Sequence, residues 1–156
     1  MNVESTIFKA YDIRGTYPDH LNADVAYAVG RGFSTLLIQE NPGKKLTVGI
    51  GGDMRTHTES LKTRLIAGIT DSGINVIDFG LTSTPSLYFG VSYSDLDGGI
   101  EVTASHNAKQ YNGFKMMRAR SEAMGGKTGI QAIYEIIVND AFVELPTEKG
   151  SVEVKS

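Results

Sequence analysis

The sequence predicts an α/β layered domain with a largely parallel sheet. Three observations lead there. Short apolar runs alternate with longer stretches of helical periodicity, the pattern of strand–helix–strand units. Several of the runs end in glycine or turn residues, as buried strands do where they leave a sheet. A chain of 156 residues, 40% hydrophobic and 21% charged, suits one domain able to bury a sizeable core.

The elements follow in order. Ile7 to Ile13 reads as an edge strand followed by a glycine turn. Asn22 caps a helix over residues 22–40, with Val25, Val29, Phe33, Leu36 and Leu37 at helical spacing. Leu46 to Asp53 is a buried strand closed by Gly-Gly-Asp. Thr56 and Glu59 form a capping box for a helix carrying Leu61, Leu65 and Ile69 on one face, ended by Asp71-Ser72-Gly73. A second strand spans Ile74 to Gly80. Thr84 as cap, with Pro85 at the first helical position, opens a short helix to about Tyr93. Gly98 to Thr103 is a third strand, and Gly113 to Met117 forms another. Thr128 and Gln131 make a further capping box, with Ile130, Ile133, Ile137 and Val138 along one side. The tail from Leu145 is polar and patternless. The division is therefore a domain over 1–145 and a linker over 146–156.

Composition narrows the function. A net charge of −3, from 15 basic and 18 acidic side chains, speaks against a nucleic-acid binder. No apolar run approaches the ~18 residues of a membrane span, and the N-terminus lacks the pattern of a signal peptide. There is no cysteine, which excludes disulfides, thiolate metal sites and cysteine nucleophiles and fits a cytoplasmic location. Neither nucleic acid nor a membrane is expected as a partner.

Three stretches carry chemistry. In Thr103 to Lys115, TASHNAKQYNGFK, a hydrolase reading of Ser105 fails because the G-x-S-x-G elbow is missing and His106, its immediate neighbour, points away in extended backbone. A phosphate on Ser105 would bring a charge of about −1.5 to −2 and need cations and backbone N–H donors. Arg14 and Lys115 are candidates, Lys109 a weaker one, and Gly113 allows close approach. Taken alone, Ser-His-Asn also reads as a turn closed by asparagine side-chain hydrogen bonds. In Ile7 to Gly15, IFKAYDIRG, Arg14 beside a glycine suits bidentate phosphate binding as well as a plain strand end. In Gly49 to Arg55, GIGGDMR, the dinucleotide and P-loop patterns are both missing. Asp53 and Arg55 read either as a structural pair or as support for the site.

Together the three stretches resemble the N-terminal domain I of the α-D-phosphohexomutases, in the phosphomannomutase/phosphoglucomutase group. FKAYDIRG is similar to that group's N-terminal signature, GGDMR to its Gly-x-Asp-x-Arg segment, and TASHN with YNGFK to its active-site serine loop. They stand in family order across residues 7–140. Gly52 sits where arginine is common, and Ala108 replaces the usual proline, which would stiffen the loop.

The resemblance implies a three-layer α/β/α sandwich with a mostly parallel mixed sheet. It also implies a reversible phosphoryl shift between the 1- and 6-positions of a hexose phosphate, through phospho-Ser105 and a hexose 1,6-bisphosphate that also serves as activator. Ser105, Arg14, Lys115 and His106 are the expected catalytic residues. Tyr11, Asn107, Lys109 and Asn112 are expected to position substrate and phosphate, Tyr11 by supporting the loop. Mg²⁺ is expected on the Ser105 phosphate, its remaining ligands coming from a second domain. The family's Asp-Gly-Asp-x-Asp metal loop and its sugar-reading loop do not occur in this sequence, so the expected partners are a hexose phosphate and the remaining domains of the same enzyme. The isolated chain is then expected to be inactive. The alternative is a stand-alone, non-catalytic domain that binds phosphosugars or other anions.

Overall fold

The central strands are apolar on both faces, so their sheet has to be covered twice. The computed structural model describes residues 2–104 and 107–155; Met1, Ser105, His106 and Ser156 lie outside the described residues. The strands are β1 (Ile13–Thr16), β2 (Thr47–Gly52), β3 (Asn75–Leu81), β4 (Gly98–Val102), β5 (Tyr111–Arg118) and β6 (Val152–Val154). They form one sheet in the order β1-β5-β4-β2-β3-β6. β4, β2, β3 and β6 are mutually parallel, while β5 runs antiparallel to both β4 and β1. Only β5 is therefore reversed. This is the expected three-layer sandwich with a mostly parallel mixed sheet.

Helices α1 (Ala23–Glu40), α2 (Thr58–Asp71) and α4 (Gln131–Val138) cover one face and α3 (Thr84–Tyr93) the other. Strand alternation assigns the side chains. Val48, Ile50, Ile100 and Phe114 join Phe33 and Leu65 in the larger core. Ile77 and Met117 face Leu87 and Val91 of α3. Helices α1 and α2 cross closely, because a Cβ at Gly30 would meet the Leu65 carbonyl and one at Gly68 the Tyr27 carbonyl.

Most boundaries fall within a residue or two of expectation. Asn22 caps α1 as expected, its side chain accepting from the Val25 amide at 3.0 Å. The segment Ile7 to Ile13 is not a strand. Ser5–Ile7 forms a 3₁₀ turn, and the Lys9 amide donates to the Asp12 carbonyl at 2.9 Å, folding Phe8 back onto Ile13. Thr56 does not cap α2. The helix begins after His57, and no side chain caps it. Ser83 rather than Thr84 caps α3, accepting from the Ser86 amide. Thr128 serves the turn before α4, where its hydroxyl accepts from the Gly125 amide at 2.7 Å.

The tail, expected to be patternless, is ordered against the sheet. Lys149 pairs with Asp71 at 3.0 Å, and the Gly150 amide donates to the Thr70 carbonyl at 2.8 Å. β6 then pairs with β3 through main chain alone. Its three side chains are exposed, so no hydrophobic period announces it.

Candidate active site

Ligands bind parallel sheets beyond the carboxyl ends of the strands, and three of the singled-out stretches meet there. β2 ends at Gly52 and delivers Asp53. Its neighbour β4 ends at Val102 and delivers Thr103 and the loop that returns as β5. Pairing of β1 with β5 sets Arg14 opposite Gly113, and a Cβ at Gly113 would collide with the Ile13 carbonyl. Only glycine lets these two strands come that close.

On the β1 side, Asp12 is buried and holds two cations. The Lys115 ammonium lies 3.3 Å from Asp12 Oδ2, and Arg14 Nε lies 3.6 Å from Oδ1. Both basic side chains stay partly open to solvent, at 26% and 31%. Arg14 Nη1 donates to Asn107 Oδ1 at 2.5 Å. Two positive charges share one carboxylate beside the loop, a surplus suited to an anion. Ser105 and His106, the expected phosphoacceptor and its neighbour, lie outside the described residues.

The α2 side holds the loop by its backbone. Arg55 donates to the Ala108 carbonyl at 2.8 Å, to that of Asn107 at 2.8 Å and to that of Tyr111 at 3.2 Å. Its Nε also reaches Asp53 Oδ2 at 3.2 Å. Asp53 accepts from the Thr103 hydroxyl at 2.7 Å, the Thr58 hydroxyl at 2.8 Å and the Arg55 amide at 3.1 Å. Burial pushes the Asp53 carboxyl up, but these hydrogen bonds and the Arg55 charge outweigh it and leave its pKa below the ordinary carboxylate value. Asp53 and Arg55 are thus an ion pair, and the pair is also the clamp on the loop.

The remaining predicted residues divide. Asn112, expected to position substrate, is fully buried, and its amide is taken up by His57, Thr58 and Gly113. It reaches the site through the loop. Lys109 is exposed and gives its carbonyl to His57. Tyr11, expected to support the loop, is 83% exposed and lines a cleft of about 1160 Å³ together with Lys115.

Sequence reasoning missed Asp12, His57 and Glu101. Glu101 lies opposite Lys115 in the β4–β5 register, accepts from the Thr82 hydroxyl at 2.7 Å and leaves Oε2 buried without a hydrogen-bond partner among the described residues. Burial pushes its pKa up to about 7, with the nearby Asp53 charge adding to the rise while the Thr82 hydrogen bond and Lys62 oppose it. The one available signal was an acidic residue inside an otherwise apolar strand.

Fold and site together define an α/β/α domain that presents a loop flanked by two cations at the ends of its parallel strands. The chain belongs to the phosphoglucomutase/phosphomannomutase family: residues 5–144 match the model of that family's alpha/beta/alpha domain I. It is 46% identical over 142 residues to a phosphomannomutase of Vibrio cholerae, covering 91% of this chain and 30% of that protein. A Klebsiella pneumoniae phosphomannomutase is 41% identical over 148 residues, with 94% of this chain and 90% of the relative covered. Among solved structures, a phosphoglucomutase/phosphomannomutase family protein from Burkholderia thailandensis superposes with a TM-score of 0.88 at 36% identity, over 99% of this chain and 34% of the other. The chain thus spans about a third of the length of the Vibrio and Burkholderia proteins.

Proposed function

We propose that this chain is the serine-bearing domain of an enzyme that moves a phosphoryl group between the 1- and 6-positions of a hexose phosphate. The observation that carries this reading is the pair of cations, Arg14 and Lys115, held on buried Asp12 beside the loop of Ser105, with Arg14 bonded to Asn107. In the first half-reaction the P–O bond to Ser105 Oγ breaks and a P–O bond to the sugar hydroxyl forms. The hydroxyl proton passes to the serine oxygen, with Lys115 as the acid/base group. The resulting 1,6-bisphosphate reorients, and its other phosphoryl group returns to Ser105 while a proton returns to the sugar oxygen. Arg14 stabilises the charge on the phosphoryl oxygens in both directions, and His106 and Asn107 orient the group.

Among the described residues no cluster of three or more His, Cys, Asp or Glu could hold a metal ion, and Asp12 is already engaged by two cations. Mg²⁺ on the Ser105 phosphate would need ligands from beyond these residues. No helix among the described residues is long and apolar enough to cross a membrane, and a cytoplasmic location remains part of the proposal. Intact-mass analysis tests the reading. One phosphate at most is expected per chain, located at Ser105 and absent in Ser105→Ala, with turnover of the full-length enzyme lost in that variant. Phosphate stoichiometry unchanged by the substitution would overturn it.

A further inference from the structure

His57 stands outside the reaction just described, yet its ring joins α2 to the returning arm of the serine loop. It stacks on Tyr17, with ring centroids 4.5 Å apart and planes within 20°. Nε2 lies 3.0 Å from the Lys109 carbonyl and Nδ1 lies 2.8 Å from Asn112 Nδ2. A carbonyl only accepts, so Nε2 must carry the proton and Nδ1 must be bare. The orientation of Asn112 is fixed independently, because its Oδ1 accepts from the Gly113 amide at 2.8 Å. Its NH₂ therefore faces His57 and Thr58 Oγ1, the latter at 3.0 Å. Thr58 in turn donates to Asp53 Oδ1 at 2.8 Å. Every link in this chain has one direction, and the bond from Asn112 to Nδ1 requires a neutral imidazole.

We infer that His57 is a positioning residue for the serine loop and that protonating it releases the loop's base. A proton on Nδ1 would set N–H against N–H across the 2.8 Å contact with Asn112. Relief comes when the Asn112 amide turns over and offers Oδ1 to His57, which strips the Gly113 amide of its acceptor and costs Thr58 its donor. Gly113 is the residue opposite Arg14, so the disturbance reaches the cation beside Asn107. The ionisable groups around the ring are Tyr17 on its face, Glu59 in the first turn of α2 and, through Thr58, Asp53 paired with Arg55.

Two measurements on the chain itself test the latch. Ring-nitrogen NMR at neutral pH should show His57 with bare Nδ1 and protonated Nε2. A protonated Nδ1 there would overturn the inference without any variant having to fold. Hydrogen-exchange protection of the Gly113 amide, followed across the range in which imidazoles titrate, about pH 8 to 5, should fall about tenfold or more in acid. In His57→Asn, whose side-chain oxygen can accept from Asn112 and cannot be protonated, that fall should disappear. An equal fall in both proteins would overturn the inference. The link to catalysis rests on the proposed function. In the full-length enzyme the acid-side loss of kcat should be smaller in His57→Asn than in the parent, and identical profiles would sink that link. Absence of phosphate on Ser105 would instead remove the proposed function and leave the latch tested by NMR alone.

Discussion

Toward β1, the serine loop meets Arg14 and Lys115, two cations partly open to solvent that share one carboxylate and leave Arg14 Nε without a hydrogen-bond acceptor among the described residues. Toward α2, it meets Asp53, Arg55, His57, Thr58 and Asn112, linked donor to acceptor by bonds of 2.7–3.2 Å. One side keeps charge unspent, as the proposed transfer of a phosphoryl group would require. The other side spends its polar atoms on holding the backbone still. A loop that must be both accessible and well placed needs both.

The sharpest break between the two sides is expected from Arg14→Ala and Lys115→Ala. Each should lower kcat of the full-length enzyme by about 10²-fold or more, while the melting temperature moves little. Steady-state kinetics beside calorimetry would show it. If only the melting temperature changed, the β1 side would be structural after all.

Asp53→Asn is the converse test. It replaces a four-bond acceptor with an amide that turns an NH₂ toward other donors, so stability should fall by roughly 1–3 kcal/mol. Because the folded-state pKa of Asp53 is depressed, its contribution is present above its unfolded value of 3.8 and is lost as pH falls through the folded one. Urea midpoints at neutral and acid pH would check both statements. A variant as stable as the parent at neutral pH would contradict the clamp.

Glu101→Gln sharpens the comparison from beneath the loop. The raised pKa of Glu101 gives the opposite sign: its stabilising share is present below its unfolded value of 4.5 and is lost as pH rises through about 7. The glutamine variant, a stand-in for the protonated form, should gain on the parent as pH rises across that window and hold a constant difference above it. Denaturation midpoints that track the parent at every pH would refute this. Smallest of all, Tyr11→Phe should leave stability within about 0.5 kcal/mol, since the ring is exposed.

Helix α1 and the central strands were legible because each is written locally, in a cap or a period. β6 was illegible for the opposite reason. Its three exposed residues bury nothing, and only main-chain pairing with β3 defines it. Thr56 with Glu59 looked like a cap, but the helix starts two residues later, where Thr58 spends its hydroxyl on Asp53. In the site, residue types in TASHN pointed to the chemistry. The support did not show, because His57 meets Asn112 from 55 residues away and Asp12 meets Lys115 from 103. Neither partner carries any local mark of the other.

That last separation also governs when the site comes into being. Residues 13–16 have no partner strand until β5 exists, nearly a hundred residues further along the chain. Helices α1 and α2 and strands β2 and β3 can already associate among themselves as they are made. Closing the largest loop in the sheet carries the largest entropic cost, so β1 is expected to dock late in folding. Arg14 would then reach Lys115 only once the layers beneath it are in place, and a newly made chain would pass through a stage with its frame assembled and its cation pair still apart.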